Sequence, residues 1–258
     1  MNITIIGGGN LGTAIASGLV QSKFIKAANI TVTKRNIKTI EHLKKEGIKI
    51  SDDNQKSIQK ADIVILAVKP FQIKDVIENV RFSENQIVVS VVTGVWLRDI
   101  RQWVGNGNRI FRAMPNTAIA IRKSVTCISH EEKDEQAINL IKKLFDHLGA
   151  SIVIDEKLMD AATVIGACGI AFAMRYIRAS IQGGIQIGFS AEQARFIVAE
   201  TVNGAAELLL QNHSHPEQEI DKVTTPRGCT IAGLNEMEHH GFSSAAIKGV
   251  TASFDKIA

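Results

Sequence analysis

Residues suited to cofactor chemistry stand at the start of the chain. The apolar run Ile3–Ile6 leads into the glycine turn Gly7–Gly12, and an alanine-rich stretch of helical composition follows. A strand, a glycine turn and a helix in this order are typical of dinucleotide binding, because the turn admits a pyrophosphate and the helix N-terminus offers it unpaired N–H groups. A glycine-rich turn without a ligand is the alternative. The predicted cofactor contacts here are Gly7, Gly9, Asn10, Leu11 and Gly12.

The end of the second predicted strand, residues 30–33, bears on which dinucleotide binds. Enzymes that use NAD usually place an acidic residue there, where it bonds the ribose 2′-hydroxyl. This chain has no Asp or Glu before Glu41, and the strand runs into Lys34 and Arg35. Both cations could bind a 2′-phosphate through charge-assisted hydrogen bonds, although ordinary solvated cations are the alternative. The sequence therefore favours NADP(H) over NAD(H), and NAD(H) stays open.

A second segment with chemical potential lies near the other end of the chain, at residues 223–234. Pro226 and Gly228 disfavour a continuous helix here, and a new helix is predicted to begin at Cys229 or Thr230. Free backbone N–H groups beside a threonine hydroxyl form a place that binds a carboxylate. The alternative is that Thr230 is an ordinary first-turn helix residue without a ligand.

The elements that must position these residues follow two different patterns. Strand-like runs alternate with helical stretches up to about residue 155, and Gly149 is predicted to stop a helix before the last strand. Beyond that point the apolar spacing becomes helical, and Ser190–Gln193 resembles a capping box. We predict an α/β chain, with a Rossmann-type doubly wound sheet domain over residues 1–155 and an all-helical domain over residues 156–258. The helical domain is expected to pair with another copy in a homodimer or larger assembly, and plain intrachain packing is the alternative.

Composition limits the classes of partner. The chain has 258 residues, 45% of them hydrophobic, and its net charge of +4 is too small and dispersed to predict nucleic-acid binding. Apolar runs such as residues 63–68 are too short to cross a bilayer, and the N-terminus enters a strand without a signal core. Three widely spaced cysteines favour reduced thiols, and the histidines lack metal-ligand spacing. We therefore expect a cytoplasmic protein without a metal site, a membrane span or nucleic acid.

Taken together, the motifs resemble those of pyrroline-5-carboxylate reductases over essentially the whole chain. Members of that family are similar in having a glycine turn, an Ala-Val-Lys-Pro motif, a Met-Pro-Asn-Thr motif and a Pro-Gly-Gly-x-Thr-Ile-Ala-Gly-Leu motif, in this order. Here the last three stand at Ala67–Pro70, Met114–Thr117 and Pro226–Leu234.

The resemblance implies NAD(P)H-dependent reduction of the C=N bond of 1-pyrroline-5-carboxylate to L-proline, the last step of proline synthesis. It implies that Asn54 lies near the adenosine ribose and that the backbone of Ala67–Pro70 supports the nicotinamide. It also implies that the backbone from Gly228 to Thr230 holds the carboxylate of a cyclic imino acid, while the Thr230 hydroxyl bonds the ring nitrogen. The further cofactor residues expected on this basis are Ala67, Val68, Lys69, Pro70, Thr93, Gly94 and Asn116. The expected substrate residues are Thr225, Gly228, Cys229 and Thr230, with Thr230 as the catalytic residue.

The sequence departs from the family pattern in three places. Arg122 and Arg227 stand at usual glycine positions, and Gly166–Ala171 replaces a Ser-Gly-Ser-Gly-Pro-Ala pattern. A divergent paralogue that reduces a related cyclic imine, or a non-catalytic NADP-binding regulator, is therefore an alternative. A β-hydroxyacid dehydrogenase is disfavoured, because Ala161 stands four residues after Lys157 where those enzymes carry an asparagine.

Overall fold

A computed structural model gives the fold of the chain and describes residues 1–257. An eight-stranded sheet forms the centre of its first part, with the order β3-β2-β1-β4-β5-β6-β7-β8. The strands are β1 Ile3–Ile6, β2 Ile30–Thr33, β3 Lys49–Ser51, β4 Ile63–Leu66, β5 Ile87–Ser90, β6 Arg109–Met114, β7 Ser124–His130 and β8 Gly149–Val153. All neighbouring pairs are parallel except β6 and β7, which are antiparallel.

Helices cover both faces of the sheet. The α-helices of this part are α1 Asn10–Gln21, α2 Asn54–Ile58, α3 Ile73–Glu78, α4 Leu97–Val104, α5 Glu135–Asp146 and α6 Met159–Ala162. Strands β1, β4 and β5 are buried along their whole length. Because side chains alternate along a strand, Ile5 and Ile65 join one hydrophobic cluster while Ile6 and Val64 join another. Such doubly covered strands read as continuous apolar runs, which is why the sequence predicts them.

The last strand corrects one expectation about a glycine. Helix α5 ends at Asp146, and Gly149 is the first residue of β8 rather than the helix stop. Its φ is +145°, and a Cβ there would overlap the backbone of Ser124 on the neighbouring strand. Gly149 therefore allows β7 and β8 to pair closely.

The second part of the chain is helical. Its helices are α7 Gly169–Gln186, α8 Ala191–Asn212, α9 Pro216–Lys222, α10 Cys229–His239 and α11 Phe242–Ile257. Ser190 caps α8 in the predicted capping box. Helix α9 was not predicted; His215 caps it and Pro216 occupies its first turn. The chain divides into two compact units: Met1–Cys168, here called the sheet unit, and Gly169–Lys256, here called the helical unit. The domain boundary between residues 155 and 156 stays a prediction.

The first helical segment after the sheet is more apolar than the sequence analysis expects. By length and composition alone, the segment Glu156–Gln186 is long and apolar enough to cross a membrane, and 17% of its apolar stretch is buried. The sequence predicts no membrane span because every uninterrupted apolar run is too short. This segment instead mixes small and apolar residues with few charges. Within α7 to α11, Ala194 is the only buried residue.

Candidate active site

A crevice of about 990 Å³ opens at the carboxyl ends of β1, β2, β4, β5 and β6. This is where an open, doubly wound sheet binds its ligand. Most of the predicted cofactor residues line it: Gly7, Gly9, Asn10, Leu11, Lys34, Arg35, Asn54, Ala67, Val68, Lys69, Pro70, Thr93 and Asn116. Gly12 and Gly94 are not among the lining residues.

The glycines of the turn have three distinct roles. Gly7 has φ +115°, and a Cβ there would overlap the carbonyl group of Ala67 at the end of β4. A Cβ at Gly12 would overlap the carbonyl oxygen of Gly7, so Gly12 lets α1 pack against the turn. At Gly9 a Cβ would meet nothing within 4 Å, which leaves the backbone open toward the crevice. Gly7 and Gly12 therefore shape the turn, and Gly9 is the glycine that a ligand can approach.

The N-terminus of α1 is suited to an anion. The first hydrogen bond within the helix runs from the Thr13 N–H to the Gly9 carbonyl at 3.0 Å, so the N–H groups of Asn10 and Leu11 have no acceptor in the helix. Gly9 provides no side-chain cap, and the first turn contains no acidic residue that would occupy these donors. Two free donors at the positive end of a helix form a site for a phosphate group.

The carboxyl end of β2 carries the cations and an oriented amide. Neither Lys34 nor Arg35 makes an ion pair within residues 1–257, so both charges are available to a ligand. The buried Thr33 hydroxyl lies 2.5 Å from the Asn54 Oδ1 and donates to it. This bond directs the amide of Asn54 and leaves its Nδ2 donors for another acceptor. A side cavity of about 480 Å³ continues past Arg35 and Asn54 toward Asp75 and Asn79.

The opposite end of the crevice is formed by the motifs after β4 and β6. The Ala67 N–H donates to the Ile6 carbonyl at 2.8 Å, which fixes the end of β4 beside that of β1. Asn116 lines the crevice, but its side chain is only 7% exposed and both of its polar atoms bond protein groups. Several other lining residues were not predicted, and those at this end include Pro115, Thr117, Ala120 and Ala167. Three of them belong to the Met114–Thr117 motif or follow it closely, so that motif could have indicated them.

The second predicted site lies in the helical unit. Helix α10 begins at Cys229, as predicted, and its N-cap Gly228 provides no side-chain hydrogen bond. The Gly228 N–H donates to the Thr225 carbonyl at 2.9 Å, and a Cβ at Gly228 would overlap the Thr225 hydroxyl. Thr230 is half-buried in the first turn. This helix start therefore presents free N–H groups beside a threonine hydroxyl, as the sequence predicts.

Comparison with known proteins identifies the family. A family model described as pyrroline-5-carboxylate reductase dimerisation matches residues 156–258, and one described as NADP oxidoreductase coenzyme F420-dependent matches residues 2–94. Pyrroline-5-carboxylate reductase 2 of Dictyostelium discoideum is 43% identical over 273 residues, which cover 99% of this chain and 91% of the relative. The chain belongs to the pyrroline-5-carboxylate reductase family.

Two further comparisons agree with this membership. Pyrroline-5-carboxylate reductase 1 of the same organism is 50% identical over 99% of this chain, which spans about half of that relative's length, 49%. The crystal structure of pyrroline carboxylate reductase from Plasmodium falciparum with NADP bound is 25% identical and has a TM-score of 0.89, with coverage of 100% of this chain and 97% of that one. The predicted family, fold class and NAD(P)H-dependent oxidoreductase class are confirmed.

Two departures from the pyrroline-5-carboxylate reductase motifs share a backbone feature. Arg122 has φ +57° and Arg227 has φ +61°. The motif resemblance leads one to expect glycine at both positions. Glycine adopts this left-handed conformation without steric cost, whereas other residues pay roughly 1–2 kcal/mol. Both arginines therefore hold a backbone conformation that glycine would adopt more easily.

Proposed function

We propose that this protein reduces the C=N bond of 1-pyrroline-5-carboxylate with NADPH to give L-proline, the last step of proline synthesis. The observation that carries the proposal is the occurrence, in one chain of this family, of a dinucleotide crevice with two free cations and a helix start suited to a carboxylate beside Thr230. The 43% identity to a named reductase, with 91% of that relative covered, supports the choice of substrate.

The crevice fits NADP(H) in three respects. The free N–H groups of Asn10 and Leu11 suit the pyrophosphate, and Gly9 leaves room for it. Lys34 and Arg35 supply two positive charges for a 2′-phosphate, and no acidic residue follows β2 to select a free 2′-hydroxyl. When bound, the cofactor supplies the hydride. With the adenosine end at β2 and the pyrophosphate at the glycine turn, the nicotinamide falls beside Ala67–Pro70.

The residues at the start of α10 would bind and polarise the substrate. The N–H groups of Cys229 and Thr230 would hold its carboxylate. The Gly228 N–H already donates to the Thr225 carbonyl, so it fixes the turn that precedes these donors rather than binding the substrate. The Thr230 hydroxyl would donate a hydrogen bond to the ring nitrogen, which draws electron density from the carbon that accepts the hydride. The nitrogen gains its proton from solvent or before binding, since a threonine is too weak an acid to supply it.

We further propose that residues 156–258 form a dimerisation domain and that a second copy covers its apolar surface. The family model of dimerisation, which begins at residue 156, supports this boundary. Large apolar side chains such as Phe196, Leu210 and Ile247 are more than half exposed in the single chain. A second copy, rather than a lipid bilayer, accounts for the apolar segment Glu156–Gln186. The free thiols Cys127, Cys168 and Cys229 fit a reducing compartment such as the cytoplasm.

Turnover by the purified protein tests this function, together with the variants Thr230→Ala and Thr230→Ser. We expect oxidation of NADPH with 1-pyrroline-5-carboxylate, a fall in kcat of roughly 10²-fold in Thr230→Ala, and most activity retained in Thr230→Ser. The affinity for NADPH should not change in either variant. Near-wild-type turnover in Thr230→Ala would remove Thr230 from the reaction. Turnover only with another cyclic imine would indicate a related reductase, and cofactor binding without any turnover would indicate a regulator.

A further inference from the structure

A π-helical turn interrupts the first helical segment after the sheet. It spans Thr163–Cys168, between α6 and α7. Such turns are rare and add one residue to a helical turn, which rotates the residues that follow by roughly 100° relative to an uninterrupted α-helix. One residue of this turn, Ala167, lines the crevice. The π-helical register therefore decides which side chain faces the crevice at this point.

Asn116 makes the hydrogen bond that holds this turn from outside the helix. Its Nδ2 donates to the Gly166 carbonyl at 3.1 Å, and its Oδ1 accepts from the Ala118 N–H at 3.0 Å. The Asn116 N–H donates to the Ser124 Oγ at 3.0 Å, which fixes the backbone as well. An amide uses one acceptor and one donor here, so no other common side chain of this size satisfies both partners.

We propose that Asn116 is a positioning residue that sets the nicotinamide end of the crevice through Gly166 and Ala167. It acts by holding the π-helical register, and its polar atoms are engaged by protein groups rather than by a ligand. The proposal rests on the proposed function only in taking the crevice as the site of NADP(H), with the nicotinamide on the side of Ala67–Pro70. It assigns Asn116 a role that differs from the direct cofactor contact predicted from the sequence.

Asn116→Asp removes one of the two side-chain hydrogen bonds of Asn116 and keeps the other. Aspartate keeps the acceptor for the Ala118 N–H but places a second oxygen opposite the Gly166 carbonyl, where repulsion replaces a hydrogen bond. The probes are NADP⁺ and its nicotinamide-free fragment, 2′-monophosphoadenosine 5′-diphosphoribose, with both dissociation constants measured by calorimetry. We expect a roughly tenfold weaker binding of NADP⁺ and unchanged binding of the fragment, because the fragment uses only the glycine turn and the end of β2.

Ala167→Val and Asp155→Ala complete the test. Ala167→Val adds bulk directly to the crevice wall and should also weaken NADP⁺ selectively, even if Asn116→Asp fails to fold. The Asp155 Oδ1 accepts from the N–H two residues ahead, that of Lys157, at 3.0 Å, just as the Asn116 Oδ1 accepts from the Ala118 N–H. This backbone bond holds the pKa of the Asp155 carboxyl below its ordinary value. Asp155→Ala thus removes a similar cap away from the crevice and should change neither affinity.

Two results would overturn the proposal. One is an equal loss of affinity for NADP⁺ and for the fragment in Asn116→Asp, which would indicate general damage. The other is unchanged NADP⁺ binding in a folded Asn116→Asp or, if that variant does not fold, in Ala167→Val. Failure of the wild-type protein to reduce 1-pyrroline-5-carboxylate would contradict the proposed reaction but would leave these two affinities, and hence this proposal, intact.

Discussion

Lys34 and Arg35 are the residues that we propose select NADP(H) over NAD(H). They follow β2 directly, line the crevice and make no ion pair within residues 1–257. A hydrogen bond to a charged group contributes roughly 1.5–3 kcal/mol, which corresponds to a tenfold or larger change in affinity. We therefore expect Arg35→Ala to raise KM for NADPH at least about tenfold while KM for NADH changes little. Steady-state kinetics with both cofactors measures this.

Lys38→Ala is the matched control for this substitution. Lys38→Ala also removes one positive charge from the residues that follow β2, but Lys38 does not line the crevice. An equal loss of NADPH selectivity in Lys38→Ala would mean that the general positive field, and not a direct contact by Arg35, selects the cofactor.

Arg227 combines a strained backbone with a charge beside the proposed carboxylate site. Its φ of +61° suits glycine, so Arg227→Gly should leave stability unchanged or raise it by up to about 1 kcal/mol. If the guanidinium attracts the substrate carboxylate, Arg227→Gly and Arg227→Ala should both raise KM for the imino acid. Arg227→Ala removes the charge but keeps a Cβ at this φ, so the backbone strain remains. Thermal unfolding therefore reports the strain, and KM reports the charge.

Arg122→Gly provides the comparison for Arg227. Arg122 has a similar φ, +57°, but lies in the sheet unit and is not among the crevice residues. Arg122→Gly should change thermal stability as Arg227→Gly does, without raising KM for the imino acid. An unchanged KM in Arg227→Ala would show that the charge has no part in substrate binding.

At the scale of elements, one ion pair fixes the start of the helical segment Glu156–Gln186. Arg112 on β6 is 2% exposed, and its Nη1 lies 2.8 Å from the Glu156 Oε1. The same carboxylate accepts from the Leu97 N–H at 2.6 Å, at the start of α4, and the Trp96 ring lies 5.5 Å from the Arg112 guanidinium. This carboxylate therefore joins a strand, a helix start and the following helical segment.

Glu156→Gln should destabilise the protein because it leaves the Arg112 charge buried and unpaired. Loss of one partner from a buried pair lowers the free energy of unfolding by roughly 3–5 kcal/mol. Glu78→Gln breaks the exposed pair Lys74–Glu78 and should lower it by no more than about 1 kcal/mol. Thermal unfolding of the two variants checks the difference. Replacing both partners, in Arg112→Met with Glu156→Gln, should recover part of the loss, and no recovery would argue against an uncompensated charge as its cause.

The same scale shows what can be predicted from sequence. Strands β1, β4 and β5 are predicted because buried parallel strands are continuous apolar runs. The three-residue strand β3 was missed, since Lys49–Ser51 is half polar and short. The π-helical turn at Thr163–Cys168 depends on a hydrogen bond from Asn116, which is distant in sequence. Elements defined by their own composition were predictable, and those that depend on a distant partner were not.

For the whole molecule, the distribution of buried residues differs between the two units. The sheet unit has two extensive hydrophobic clusters, which are assembled from strands and covering helices. The helices α7 to α11 bury only Ala194. A helical unit with so little buried surface of its own gains little hydrophobic stabilisation as a single chain, since that stabilisation is about 25 cal/mol per Å² of apolar surface buried. Its folding should therefore be coupled to association.

Light scattering on the wild-type protein and on Phe196→Asp tests this coupling. Phe196 on α8 is 64% exposed in the single chain, so a charge there costs little unless a second copy covers it. We expect the wild type to be a dimer or larger without detergent, and Phe196→Asp to dissociate and to unfold at a lower, concentration-dependent temperature. Phe71→Asp changes a side chain that is 80% exposed in the sheet unit and should leave the assembly intact. A monomeric wild type, or one that stays dispersed only in detergent, would contradict the proposed dimerisation, because a second copy would then not be what covers the apolar helices.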